Sequence, residues 1–377
     1  MNETQLSGEV EGSGGFETRD SGGAPPVRDL RGLIRLLDDA GKLIRVKHLV
    51  DWKFEIGKWT RESRQPLLFE NIKDYPGQRV FTNGLSEMAL IGLALGFELG
   101  TSFETLIRES RKRLNRPIPP KIVPVPPFLE NVVAGSGLDL SQFAVPQWSE
   151  HDAGRYIGTW HINVTKDPET GQRNVGCYRM QILGPQQATI SASAGSDLML
   201  HLAKAEARDQ ALPVVVAIGV PEVVVIAGGA ACPAEMDEFA LAGALQQEPV
   251  ELARSQTIDL EFPANSEIVI EGFIHPGVRV QDGPYFDFCG IPNTNPKAAL
   301  FEAVRLMSRS KPIFRGSAIG RPGAEDHQLF AFLAQLDLVD FHGSRLKQQL
   351  HNLLWKKRRF RAVQSLGKVG SLLHKLH

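Results

Sequence analysis

Three cysteines in 377 residues, Cys177, Cys232 and Cys289, stand far apart and never form a CxxC pair. Their scarcity excludes a disulfide scaffold and a thiolate zinc site. It fits a reducing, cytoplasmic setting in which each thiol is expected to be buried rather than nucleophilic. Surplus charge is also missing, since the formal net charge is −1. The balance gives no support for a nucleic-acid partner. No run approaches the roughly 18 apolar residues of a membrane span, and membrane contact is not expected. No GxGxxG follows a strand, which removes the usual nicotinamide site and weakens a flavin oxidoreductase reading. The first 28 residues lack both a basic lead and an apolar core, so they read as a disordered tail rather than a secretory leader.

What is present is an ordinary globular composition, 42% hydrophobic and 23% charged, in a chain long enough for two or three domains. Leu30, Leu33, Ile34 and Leu37 recur at helical spacing, Gly41 stops that helix, and a strand follows from Leu43 to Val46. Pro66 to Asn83 reads as strand, turn, strand, and LSEMALIGLALGFE as a compact helix. Pro117 to Pro127 is a Pro-broken connector. Thr159–Thr165 and Asn174–Leu183 flank DPETG and predict a β-hairpin. A helix is predicted from Asp197 to Arg208, then the strand PVVVAIG. PEVVVIAGGAA suits either a helix N-terminus at Pro221 or a strand edge. EMDEFALAGALQQ predicts a helix, TIDLEF and EIVIEGFI strands, NPKAALFEAVRLMSRS a helix and PIFRGSAIG a strand. The pattern is α+β, built partly on a barrel-like sheet. Beyond Asp340 the acids stop, while Arg345, Lys347, Lys356 to Arg359, Arg361, Lys368 and Lys375 accompany a leucine stripe. A surface helix packed on the body or a partner is favoured there over an anionic membrane or phosphate contact.

Two segments carry chemistry. In the hairpin, Asn174 and Arg179 are an odd number apart and would face opposite sides of a regular strand. A bulge at Gly176 would bring them together. Arg179, between Tyr178 and Met180, requires an anionic partner if half-buried. In VQDGPYFDF, Asp282 and Asp287 bracket a Gly-Pro turn, where two close carboxylates would keep one protonated unless a cation lies between them. An arginine, two acids and an amide suggest a site that grips a carboxylate and handles a proton. Glu238 and Asp197 add oxygens suited to a hard divalent ion, although Asp197 also serves as a helix N-cap.

Together EHDAGRYIGTW, DPETGQRNVGCYRMQ, ALPVVVAIG, EFALAGALQQEPVEL, IDLEFPANSEIVIEGFI and DGPYFDFCG resemble the UbiD family of decarboxylases, which use prenylated FMN. The resemblance spans about Pro117 to Arg321, and RNVGxYRMQ is its most specific part. It implies a disordered tail over residues 1–28, an N-terminal α/β domain over 29–127, and a split β-barrel flavin-binding domain over 128–321. A shortened C-terminal region, a basic helical tail, would occupy 322–377. The implied catalytic trio is Arg179, Asp282 and Asp287. The family pattern carries Glu at the first acid and often at the second, so both arms are one methylene shorter here. The implied metal ligands are Asn174, Glu238 and, at the family's histidine position, Asp197, taken ahead of His201 one helical turn on. Flavin contacts are implied at Thr159, Asn174, Gly176, Cys177, Tyr178, Arg179, Ser196, Gly228 and Gly229. The implied cofactors are prenylated FMN and Mn²⁺ or Mg²⁺, with K⁺ as a further candidate. The implied partners are a small carboxylic acid substrate, a flavin prenyltransferase as cofactor supplier, and further copies of the chain. The function implied is reversible, non-oxidative decarboxylation of an aromatic or α,β-unsaturated acid. The alternative is a catalytically idle UbiD-like binding or assembly subunit.

Overall fold

A computed structural model of the chain describes residues 27–124, 130–232, 236–287, 290–320 and 325–338. Residues 1–26 of the expected tail, Cys289 and the basic segment from Arg345 to Lys375 lie outside the described residues.

Asp29 caps α1 (Leu30–Asp39) by accepting the Gly32 amide at 2.7 Å, and the apolar positions spaced by three and four all face inward. β1 (Ile44–Val46), α2 (Glu55–Glu62), β2 (Leu67–Phe69) and β3 (Arg79–Thr82) follow. α3 (Met88–Ala94), α4 (Phe103–Leu114), β4 (Lys121–Ile122) and β5 (Asn131–Ala134) come next. β2 pairs parallel with β1 and antiparallel with β3.

The middle of the chain contributes β6 (Tyr156–Gly158), β7 (His161–Lys166), β8 (Arg173–Gly176), β9 (Met180–Gln181), β10 (Gln187–Ile190) and α5 (Asp197–Glu206). Then come β11 (Leu212–Ile218), α6 (Glu222–Gly228), α7 (Glu238–Gln246), β12 (Glu251–Arg254) and β13 (Glu261–Pro263). Two long strands, β14 (Ile268–Phe286) and β15 (Pro292–Ser308), precede β16 (Ile313–Arg315) and α8 (Glu325–Gln335). The main sheet runs β10-β15-β14-β11-β7-β8, with β5 against β15, and curls into a half-barrel.

β11 shows how the sheet is held. Its β-branched run is buried on both faces. Alternation sends Val215 and Ala217 into one apolar core with α6 and α7, and Val214, Val216 and Ile218 into a second with Leu198, Ile270 and Phe301. Each such valine removed from water contributes about 1.5–3 kcal/mol.

Two expectations change, and one open alternative is settled. NPKAALFEAVRLMSRS is not a helix but most of β15, in which Ala299, Phe301 and Ala303 are buried while Leu300, Glu302 and Val304 are only partly so. Bonding to β14 and β10 on either side overrides the helical propensity of its Ala, Leu and Glu. The piece opening at Pro221 is a helix, α6, with Pro221 at its N-cap, where a missing N–H costs nothing. Asp197 is the first residue of α5 and Ser196 is its N-cap. β16, read from sequence simply as a strand, lies outside the main sheet. It pairs parallel with β3 and completes the first one, in the order β1-β2-β3-β16.

Candidate active site

The predicted hairpin exists, but its second strand is broken. β7 and β8 pair from Lys166↔Arg173 to Asn163↔Gly176, and there the ladder stops. The Tyr178 amide donates to the Asn163 side-chain oxygen at 3.1 Å. The Tyr178 ring folds back over Gly176, where any Cβ would lie 2.6 Å from it, so a larger residue would have to displace the ring. The chain resumes as β9, paired with β6 rather than β7. Asn174 and Arg179 are thus redirected by a strand break instead of a bulge in one continuous strand.

Arg179 leaves this break pointing at the acids. Its Nε donates to Asp282 Oδ1 at 2.7 Å, and another guanidinium nitrogen lies 3.8 Å from Asp287 Oδ2. Asp282 is 0% exposed, and its second oxygen accepts from the Thr189 hydroxyl at 2.7 Å. Asp287 keeps 22% side-chain exposure and accepts from the Asn293 amide at 3.0 Å. Tyr285 lies under the guanidinium, 5.1 Å from ring centroid to carbon. The Gly-Pro pair between the acids forms no hairpin turn. It sits inside β14, where the register with β15 shifts between Val280 and Asp282 and again before Tyr285. These irregularities free the backbone to aim both carboxylates.

A second ring of groups holds that segment. The Gly283 amide donates to Gln181 Oε1 at 3.0 Å, and the Tyr156 hydroxyl meets the same oxygen at 3.3 Å. Asp152 accepts the Phe286 amide at 2.8 Å and the Ser149 amide at 2.8 Å. Burial pushes the Asp152 carboxyl up to about 6. Burial and then the Asp282 charge push the Tyr156 phenol up, keeping it a donor. Asp152, Gln181, Thr189 and Asn293 were not singled out from sequence, because no spacing links them to the arginine they surround.

Of the residues implied for a cofactor and metal, Glu238 and Gly228 meet at Val175. Its amide donates to Glu238 at 3.2 Å, and its carbonyl abuts Gly228, where a Cβ would lie 3.4 Å away. Gly229 caps α6 and packs towards Leu329 and Leu333. Thr159 accepts the Ser317 amide at 3.0 Å, while the Ser196 hydroxyl is turned to the Ser193 carbonyl at 2.8 Å. Cys177 is exposed rather than buried as expected.

Asn174 is buried and donates to Thr165 at 3.5 Å, and Thr165 in turn meets His201 Nδ1 at 2.9 Å. His201 therefore stands behind Thr165, whereas Asp197 is exposed at the start of α5. Among the described residues no three His, Cys, Asp or Glu side chains already form a metal cluster. Burial, with Asp237 and Asp197 adding like charge, raises Glu238 to about 7. Carboxylate and amide oxygens are the donor type that a hard divalent cation takes.

The curled sheet thus carries Arg179 between two carboxylates, Asp282 and Asp287. Residues 121–322 match the 3-octaprenyl-4-hydroxybenzoate carboxy-lyase Rift-related domain, and residues 34–110 its N-terminal domain. The chain belongs to the UbiD family, whose structurally similar members are decarboxylases. An uncharacterized protein of Aquifex aeolicus is 33% identical over 350 residues, covering 84% of this chain and 71% of the relative. One from Synechocystis is 32% identical, covering 80% and 64% respectively. Among solved structures, the closed form of Sedimentibacter hydroxybenzoicus vanillic acid decarboxylase is 31% identical with a TM-score of 0.79, covering 82% of this chain and 68% of that one. An evolved dimeric form of the UbiD-class enzyme HmfF from Pelotomaculum thermopropionicum, in complex with prFMN, is 29% identical with a TM-score of 0.76, covering 82% and 71%. No described helix is long and apolar enough to cross a membrane.

Proposed function

We propose that the protein catalyses reversible, non-oxidative decarboxylation of an aromatic or α,β-unsaturated carboxylic acid with prenylated FMN. The observation that carries this reading is Arg179, held at 2.7 Å from a fully buried acid and 3.8 Å from a part-exposed one. Exposure separates the roles of the two acids. Asp282, saturated by Arg179 and Thr189, orients the guanidinium. Asp287, open to water, can be reprotonated after each turnover and delivers a proton to the carbon that lost CO₂. The Arg179 fork suits the two oxygens of a substrate carboxylate. Tyr285, Tyr178 and Phe286 give the neighbourhood the flat apolar character an aromatic acid requires. Asn174, Glu238 and Asp197 would hold Mn²⁺ or Mg²⁺ at the cofactor phosphate, with Thr159, Gly176 to Arg179, Ser196, Gly228 and Gly229 around the flavin. The cofactor, when bound, supplies the electron sink for the departing carboxylate's bonding pair.

The test is co-expression with a flavin prenyltransferase, followed by flavin and manganese analysis and deuterium incorporation into product from a panel of aromatic acids. Asp287→Asn is expected to lower incorporation by about 10²–10⁴-fold. Unchanged CO₂ release and exchange in that variant would remove Asp287 as donor. A purified chain that never retains flavin would favour the idle assembly subunit.

A further inference from the structure

Asp152 has no place in the chemistry above, yet it grips the segment that carries the second acid. It is buried just before β6, with each carboxylate oxygen accepting one backbone amide, Phe286 on one side and Ser149 on the other, both at 2.8 Å. The next residue, Ala153, donates its amide to the Pro284 carbonyl at 2.7 Å. The preceding one, His151, stacks on the Phe286 ring at 5.8 Å between centroids. Residues 151–153 thus engage the backbone and a side chain of 284–286 at three points.

We propose that Asp152 is a positioning residue, whose carboxylate fixes the Phe286 amide and thereby sets where the Asp287 carboxyl stands relative to Arg179. This rests on the proton-delivery role proposed for Asp287. The need for such a clamp follows from the sheet. Between Val280 and Tyr285 the β14–β15 register slips twice before pairing resumes at Tyr285↔Asn293 and Phe286↔Pro292, so β15 holds one edge of the end of β14 and residues 151–153 hold the other. An ionised carboxylate accepts both amides at once through charge-assisted bonds, which a neutral amide or a protonated acid does not reproduce. Arg61 and His151 favour the ionised form, and the phenols of Tyr156 and Tyr285 also lie within its field. Burial outweighs these favourable groups, so the clamp is charged at neutral pH and weakens as pH falls through about 6.

Hydrogen–deuterium exchange on the cofactor-free full chain tests this directly, with Asp152→Asn and Asp152→Ala read at residues 282–287 and β11 as internal reference. Protection of the Phe286 amide is expected to fall roughly tenfold, the loss of about one hydrogen bond, while β11 is unchanged. In loaded enzyme, Asp152→Asn is expected to lower kcat at least about tenfold with KM nearly constant, and to erase the acid limb near pH 6. Wild-type protection of Phe286 in either folded variant overturns the proposal, as does a raised KM with unaltered kcat. Should Asp152→Ala fail to fold, Asp152→Asn alone decides. Exchange needs neither flavin nor substrate, so a wild-type chain that turns over no acid refutes the proposed function without touching the clamp result.

Discussion

Two arginines sit among paired carboxylates in this molecule, and they do different work. Arg315 is 1% exposed and saturated. Its Nε donates to Glu222 at 2.6 Å, and its two terminal nitrogens donate to Glu325 at 3.0 and 2.6 Å. Both acids are engaged further, Glu222 by the Trp160 indole at 2.7 Å and Glu325 by the Asn83 and Leu85 amides at 3.1 and 3.2 Å. That cluster joins β16, α6, α8 and the segment after β3. Arg179 has one tight acid, one looser acid and 13% side-chain exposure. A closed ion cluster is architecture, because every carboxylate oxygen is already engaged and the guanidinium is buried away from any ligand. An arginine with an acid still open to water can exchange partners, as the proposed grip on a substrate carboxylate requires.

The largest effect is expected at the closed cluster. Arg315→Met leaves two buried carboxylates without a countercharge and should cost about 3–5 kcal/mol in urea unfolding at pH 7. An unchanged midpoint would break the contrast from one side. Arg179→Lys attacks the other side. It should lower decarboxylation about 10²–10³-fold while costing only about 1–3 kcal/mol of stability, since Asp282 retains Thr189. A stability loss equal to that of Arg315→Met with activity preserved would reverse the assignment. A third test sharpens the rule with a buried ring that is neutral at pH 7. Burial pushes His161 down to about 4 from 6.5. Its folded pKa is depressed, so its contribution is complete above pH 6.5 and lost as pH falls through 4, on the order of 3 kcal/mol in all. Subtracting the unfolding curve of His161→Leu from wild type should show that slope, and parallel curves would refute it.

The helices and strands read from sequence were those whose periodicity matched their burial, such as α1 and β11. β15 was misread because its residues favour helix while its two neighbours impose a ladder, a long-range fact absent from the local pattern. α8 falls inside the expected basic helical tail over 322–377, yet it opens on two acids, one of which pairs with Arg315. At the site, Arg179 and the two acids stood out as residue types that need one another. The groups that hold them did not. Thr189 reaches Asp282 across 93 positions and Asp152 reaches Phe286 across 134, and side chains bonding to distant backbone leave no spacing to recognise.

The pairing of β16 with β3 has a bearing on synthesis. Arg79 to Phe81 find their last partners only when Ile313 to Arg315 emerge, 234 positions later. Until then β3 offers the ribosome-bound chain an unsatisfied edge, an invitation to mispairing that nascent-chain chaperones would have to shield. The first sheet to begin is therefore among the last to close, which couples maturation of the amino-terminal layer to completion of the catalytic sheet.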